Sequence, residues 1–244
     1  MTEAQPRPAY YAAQGGPWRD WWTLLHPPYT AWHLAYVVIG ASLAPRVQVS
    51  RLVATVLAFF LAVGISAHAL DELHGRPLRT SVPAGALVGA AAAGLVGAVI
   101  LGAMGVARVG VSIVPFIVLG PVLVVAYNAE IFGGLIHNDV GFALSWGAFP
   151  VLTAYVAQAQ GLSIAAALGA LGAFALSLAQ RALSTPARRL RRSTQEVLGT
   201  MAMADGTSAA IDRGSLLAPL ERALRTMSWA VVCLAAALAV ARLG

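Results

Sequence analysis

The 244-residue chain holds five histidines and ten Asp or Glu residues, and their spacing singles out two short stretches. The first, "AHALDELHGRPLRT", carries His68, Asp71, Glu72, His74, Arg76 and Arg79. The second, "YNAEIFGGLIHND", carries Tyr127, Asn128, Glu130, His137, Asn138 and Asp139. His68 and Glu72 are four apart and Asp71 and His74 three apart, so on a helix each pair shares a face. Glu130 and His137 are seven apart, with Gly133 and Gly134 between them able to break a helix. Two helices presenting imidazole and carboxylate to one another could complete a mononuclear or dinuclear metal site. That donor set favours iron, manganese or zinc, whereas magnesium would ask for an oxygen-rich shell. His33 fits as a further ligand or as a satisfied interfacial histidine; His26, followed by two prolines, reads as structural. The plainer account makes all of these juxtamembrane polar residues, solvated or paired to Arg76 and Arg79.

The elements that must position them are hydrophobic. Some 59% of the residues are apolar and 11% charged, and the mean hydropathy is +0.74. A soluble domain needs a more charged surface, so most of the exterior must face lipid. At roughly 20 apolar residues per crossing, about seven helical spans are expected, near residues 30–45, 51–70, 83–106, 110–130, 140–158, 162–180 and 226–243. The fold class is therefore all-α, a polytopic transmembrane bundle. Its divisions are an interfacial segment over 1–29, a transmembrane core over 30–180, an Arg-rich loop with an interfacial amphipathic helix over 181–225, and a last span over 226–244. No cleavable signal peptide is expected, because the first thirty residues lack a continuous apolar core. Alanine and glycine crowd the third and sixth spans, which predicts close-packed interior helices. Pro115, Pro121 and Pro150 predict kinks. Trp18, Trp21, Trp22, Tyr29 and Trp32 read as an interfacial belt or as the mouth of a lipid-facing entrance.

Every basic residue is an arginine, and the net charge is +6. The arginines fall in gaps between apolar runs, a pattern that reports topology and anionic lipid headgroups and excludes a nucleic-acid partner. Seven spans put Arg7, Arg19, Arg76, Arg79, Arg181, Arg188, Arg189, Arg191, Arg192, Arg213, Arg222 and Arg225 on one side, and only Arg46, Arg51, Arg108 and Arg242 on the other. The richer side, with the N-terminus and all five histidines, is then cytoplasmic, in the membrane of a prokaryote. Ionisable groups near hydrocarbon depth are expensive, so their clustering at one face predicts a lined cavity. The run "RALSTPARRLRRSTQE" reads as an anchor on anionic lipid, or as a holder for an anionic headgroup or a diphosphate. The lone Cys233 leaves no disulfide within the chain.

At "LLHPPYTAWHLAYVVIGASLA", at "GRPLRT" and at "AYNAEIFGGLIHNDVGFALSWGAFPVLTAYVAQ", from about Trp21 to Arg192, the chain resembles the UbiA-type intramembrane prenyltransferase superfamily. The resemblance implies a UbiA-like core, a lipophilic substrate, and Tyr127 and Asn128 as candidate catalytic groups. The family's N-D-x-x-D-x-x-x-D motif, laid with Asp71 at its second Asp, meets Ala67, His68 and Gly75 at its other positions. The sixth span ends in "SLAQRALSTPARRL", without a carboxylate, where the family has its second acidic motif. Imidazole in place of hard oxygen is the change expected of a site that now holds a transition metal.

The leading expectation is thus a UbiA-like membrane metalloenzyme acting oxidatively on an isoprenoid- or quinone-like substrate. Its ligands are drawn from His33, His68, Asp71, Glu72, His74, Glu130, His137 and Asp139, with iron ahead of manganese or zinc and an electron donor as a conceivable partner. The alternative is a magnesium-dependent prenyltransferase or terpene-cyclase-like enzyme using Asp71 and Glu72, with Arg76, Arg79 and Arg181 on the diphosphate. A third reading is a transporter, or a non-catalytic subunit of a membrane complex.

Overall fold

The computed structural model describes residues 8–13, 16–131 and 133–244; Arg7, counted above for topology, lies outside them. The chain enters through a short helix, α1 (Pro17–Leu24), with Trp18 and Trp22 exposed and Leu24 buried. His26 then takes a left-handed conformation, φ 46°. A residue before proline is disfavoured in the right-handed helical region, and proline at a first helical position is preset for it, so one helix stops and the next starts at this point. That next helix is α2 (Pro27–Ser42).

Six long apolar helices follow: α3 (Val49–Leu73), α4 (Ala84–Val109), α5 (Val111–Asn128), α6 (Asp139–Ala159), α7 (Ile164–Arg192) and α8 (Arg213–Leu243). They fall, in order, on the second to seventh spans anticipated, and α2 falls on the first. At 16 residues α2 is about 24 Å long by helix rise, shorter than a ~30 Å hydrocarbon core. It nevertheless forms the centre of the bundle, packed against α8 on one side and α6 on the other. Trp32 and Tyr36 are buried there, Trp32 Nε1 donating to Tyr36 Oη at 2.6 Å, so Trp32 does not belong to an interfacial belt. The α2–α6 contact is backbone to backbone: a Cβ on Gly40 would stand 2.3 Å from the Val151 carbonyl oxygen.

Arginines tie one end of the bundle together. Arg51, in the first turn of α3, donates to the Ala157 and Gln158 carbonyls at the end of α6 (3.3 and 3.2 Å) and to the Arg108 carbonyl at the end of α4. Arg242, at the end of α8, donates to the carbonyls of Ser42, the last residue of α2, and of Ala44 just past it (2.9 and 2.5 Å). The last carbonyls of a helix lack intrahelical donors, and guanidinium groups satisfy them here. His68, Tyr127, Asp139 and Glu221 all lie at the other end.

Two sequence expectations change. The Ala/Gly-rich helices are peripheral: 17% of the apolar window of α4 and 28% of that of α7 are buried, against 61% for α6. Lipid tails are as apolar as side chains, so small residues permit close packing without requiring it. The stretch 181–225 is no loop: α7 runs through Pro186 to Arg192, and α8 begins at Arg213 behind a capping box made by Asp212 and Ser215. Between them stands an antiparallel hairpin, β1 (Gly199–Ala202) and β2 (Ser208–Ile211), where an amphipathic helix was expected.

Both α3 and α6 contain a π-helical segment, Phe60–Ala67 and Ala143–Ala148. Such segments leave carbonyls less completely used by the helix itself.

Candidate functional site

The loop after α3 is organised by Glu72. Its side chain is fully buried, Oε2 accepting from Leu78 N (2.9 Å) and Oε1 from Thr80 N and Oγ1 (2.9 and 2.8 Å). Arg76 braces the same loop through the Val82 carbonyl at 2.6 Å, and Arg76 and Arg79 both have positive φ. Glu72 and Arg76 therefore hold "DELHGRPLRT" in shape, where a metal ligand and a substrate clamp were expected. Arg79 sits exposed on the same turn.

Around this anchored end lies a polar chamber of about 220 Å³. It gathers His33, His68, Asp71, Tyr127, Asn128, His137 and Arg181 from the expected set, so the two polar stretches do meet. His74 and Glu130 stay on the exposed rim, 3.9 Å apart, with Glu130 also 3.9 Å from His137. Asp139 is exposed and paired with Arg181 Nε at 2.7 Å.

The imidazoles share one mode of support. Nδ1 of His33 bonds the Trp146 carbonyl (2.9 Å), Nδ1 of His68 the Gly64 carbonyl (3.2 Å) and Nδ1 of His137 the Tyr127 carbonyl (2.9 Å). Gly64 and Trp146 both belong to the π-helical segments, which thus supply the carbonyls that orient two of the rings. A carbonyl only accepts, so each Nδ1 carries the hydrogen, and in the neutral ring Nε2 keeps the lone pair. His137 also stacks on Tyr127, ring centroids 4.5 Å apart.

Residues outside the expected set complete the wall. His26 stacks on His68 at 4.3 Å, and its Nδ1 is 2.5 Å from Tyr11 Oη. Burial first, and then the neighbouring His68, hold the His26 pKa well below the ordinary histidine value. Burial likewise pushes the Tyr11 phenol well up and the Tyr10 phenol to about 12, so at neutral pH this corner is uncharged. The opposite wall is one face of α7. Arg181, Arg188 and Arg192, spaced seven and four apart, all reach the chamber. Arg191 is spent on a fork-to-fork pair with Glu221 of α8. Arg188 donates to Ser184 Oγ and Thr185 Oγ1 (3.2 Å each), and Arg192 Nε to the Pro8 carbonyl (3.2 Å). Among the described residues neither has a carboxylate partner, which leaves the chamber a positive field.

The arginine spacing was readable in the sequence, but only if the run is helical, and Pro186 suggests otherwise. Tyr10 and Tyr11 lie in an unpatterned stretch and gave no signal.

A second, mostly apolar cavity of about 480 Å³ lies next to the chamber. Val63 and Trp146 line both. It descends between α3, α4 and α5, past Ala58, Gly102, Gly105 and Ile117, to Arg51 and Arg108 at the opposite end of the bundle. From Val63 to Arg51 along α3 is about 18 Å at the helical rise.

The donors expected to hold a metal are dispersed. With Glu72 committed to its loop, Asp139 to Arg181, and His74 and Glu130 on the rim, no three His, Cys, Asp or Glu groups among the described residues are placed to hold one ion. The arrangement can instead take an anion against Arg188 and Arg192, with Asp71 and three imidazole lone pairs beside it as proton acceptors. No protein-family model, no curated protein and no solved structure matches the chain.

Proposed function

We propose that the protein is a multi-pass membrane enzyme that acts on the anionic headgroup of a lipid-like substrate. The observation that carries this reading is that Val63 and Trp146 line both cavities, so a positively charged polar chamber adjoins an apolar cleft. An amphipathic molecule matches that profile: its charge neutralised by Arg188 and Arg192, its tail in the cleft between α3, α4 and α5. Charge-assisted hydrogen bonds to an anion are the strong kind, particularly at low local dielectric. Asp71, His68 and His137 then stand where proton transfer to or from the headgroup is needed, with Tyr127 and Asn128 at the same wall. A UbiA-like architecture is part of the proposal, supported by the alternating long helices and a polar site at one membrane end. The Arg-rich end would face the cytoplasm, in keeping with the positive-inside rule. Iron, manganese or zinc chemistry finds no support in the arrangement of donors, and the Asp71–Glu72 magnesium site of the alternative lacks Glu72.

The test is native mass spectrometry of the detergent-purified protein with anionic and zwitterionic lipids of equal tails. An anionic lipid should bind one per chain, and Arg188→Gln should weaken it about 10- to 100-fold, the range for one hydrogen bond to a charged group. Equal retention of zwitterionic lipid, or indifference to Arg188→Gln, would sink the reading.

A further inference from the structure

Beyond its surplus of positive charge, the chamber holds buried polar atoms that lack partners. Among the described residues these include His26 Nε2 and Gln180 Oε1, and both residues line this chamber. Gln180 is 3% exposed, and its carbonyl oxygen can only accept. The cationic field of Arg181 and Arg188 favours that oxygen end of the amide facing inward. The Asp71 carboxylate receives no hydrogen bond from a described residue, and the Nε2 lone pairs of His33, His68 and His137 are also acceptors. A buried polar atom left unpaired carries a free-energy penalty, so such a concentration points to a ligand that supplies the missing partners.

A bare phosphate or diphosphate would answer Arg188 and Arg192 and leave the acceptors unpaired. An ammonium headgroup would answer Asp71, but it brings a further positive charge to a chamber already lined by Arg181, Arg188 and Arg192. Neutral hydroxyls next to an anionic group answer both halves. We infer that the headgroup bound in this chamber is a phosphorylated polyol, its phosphate on Arg188 and Arg192 and its hydroxyls donating to Gln180 Oε1 and Asp71. The inference rests on the anionic-lipid reading and narrows its substrate class. Gln180 is the residue that discriminates hydroxylated from bare headgroups, and the apolar cleft sets the ligand as lipid rather than free polyol phosphate.

The probes are phosphatidylglycerol, phosphatidic acid and phosphatidylethanolamine with identical tails, and glycerol 3-phosphate alone. Binding is measured in one detergent to wild type, Gln180→Leu and Gln180→Glu. Wild type should prefer phosphatidylglycerol to phosphatidic acid about tenfold, since a site built to accept hydrogen bonds from hydroxyls beside the phosphate discriminates against an analogue that lacks them. Gln180→Leu should bring the two together without weakening phosphatidic acid, which also certifies its fold, and Gln180→Glu, still an acceptor, should keep the preference. Equal affinity of wild type for the two anionic lipids, or a preference that survives Gln180→Leu, overturns the polyol assignment while the anionic-lipid reading stands. Failure of both anionic lipids to bind overturns both. Glycerol 3-phosphate binding as tightly as phosphatidylglycerol overturns the lipid attachment.

Discussion

Glu72 offers a sharp way to separate a scaffold from a site. Its carboxylate takes three hydrogen bonds from Leu78 and Thr80 and is wholly removed from solvent. Truncation in Glu72→Ala leaves two backbone N–H groups and a hydroxyl inside the protein without an acceptor. At about 1–3 kcal/mol per orphaned donor, relieved in part by entry of water, the loss should be on the order of 3–6 kcal/mol. For a chain of this size that corresponds to a melting temperature lower by on the order of 10 °C. Glu72→Gln retains one good acceptor oxygen and should lose about half as much, and Thr80→Val, which removes only the hydroxyl, about 1 kcal/mol. The assay is thermal unfolding in detergent, followed by circular dichroism, with protease cleavage across residues 74–82 as the local readout. A Glu72→Ala protein that melts with wild type would refute the clamp. So would one that melts normally yet loses bound metal or ligand, because the residue would then act at the chamber.

Three further outcomes follow from the geometry. The pKa of His26 is depressed in the fold, so as pH falls below about 6.5 the unfolded chain takes up the proton first and stability falls; His26→Phe should flatten that slope between pH 7 and 5 in denaturant melts. Arg51→Ala removes the donors of three helix-end carbonyls and should cost about 2–4 kcal/mol; Arg51→Lys, with one point of charge instead of a fork, should recover less than half of it in the same melts. Gly40→Ala forces α2 and α6 apart at Val151 and should cost about 3 kcal/mol or more, so near-wild-type stability by thermal melt would show that the close backbone approach is wrong.

How much of this was legible in the sequence depends on what each residue's neighbours could reveal. His68, Asp71, Tyr127 and His137 were found because ionisable and polar groups at the ends of apolar helices are rare and must face one another. The loop-holding part of Glu72 was not legible, because a buried carboxylate that folds a loop and one that binds a metal carry the same letter at the same spacing; its three donors come from a turn six to eight residues away. Arg188 and Arg192 were visible as charge but not as a surface, since their face exists only if the helix runs on through Pro186. The Ala/Gly helices misled for a different reason: in lipid, composition does not sort inside from outside as it does in water.

The π-helical segments of α3 and α6 have a consequence for how this protein can change. Each widens its helix locally by taking five residues to close a hydrogen-bonded turn where four would do. The extra residue is absorbed in the widened turn, so deleting one residue from Phe60–Ala67 would return the segment to an ordinary α-helix with His68 and Asp71 near their present phase. The same deletion from the α-helical part of α3 would turn everything beyond it by about 100°. The π segments are thus the places where these two helices can lose a residue without re-aiming the polar end of the molecule.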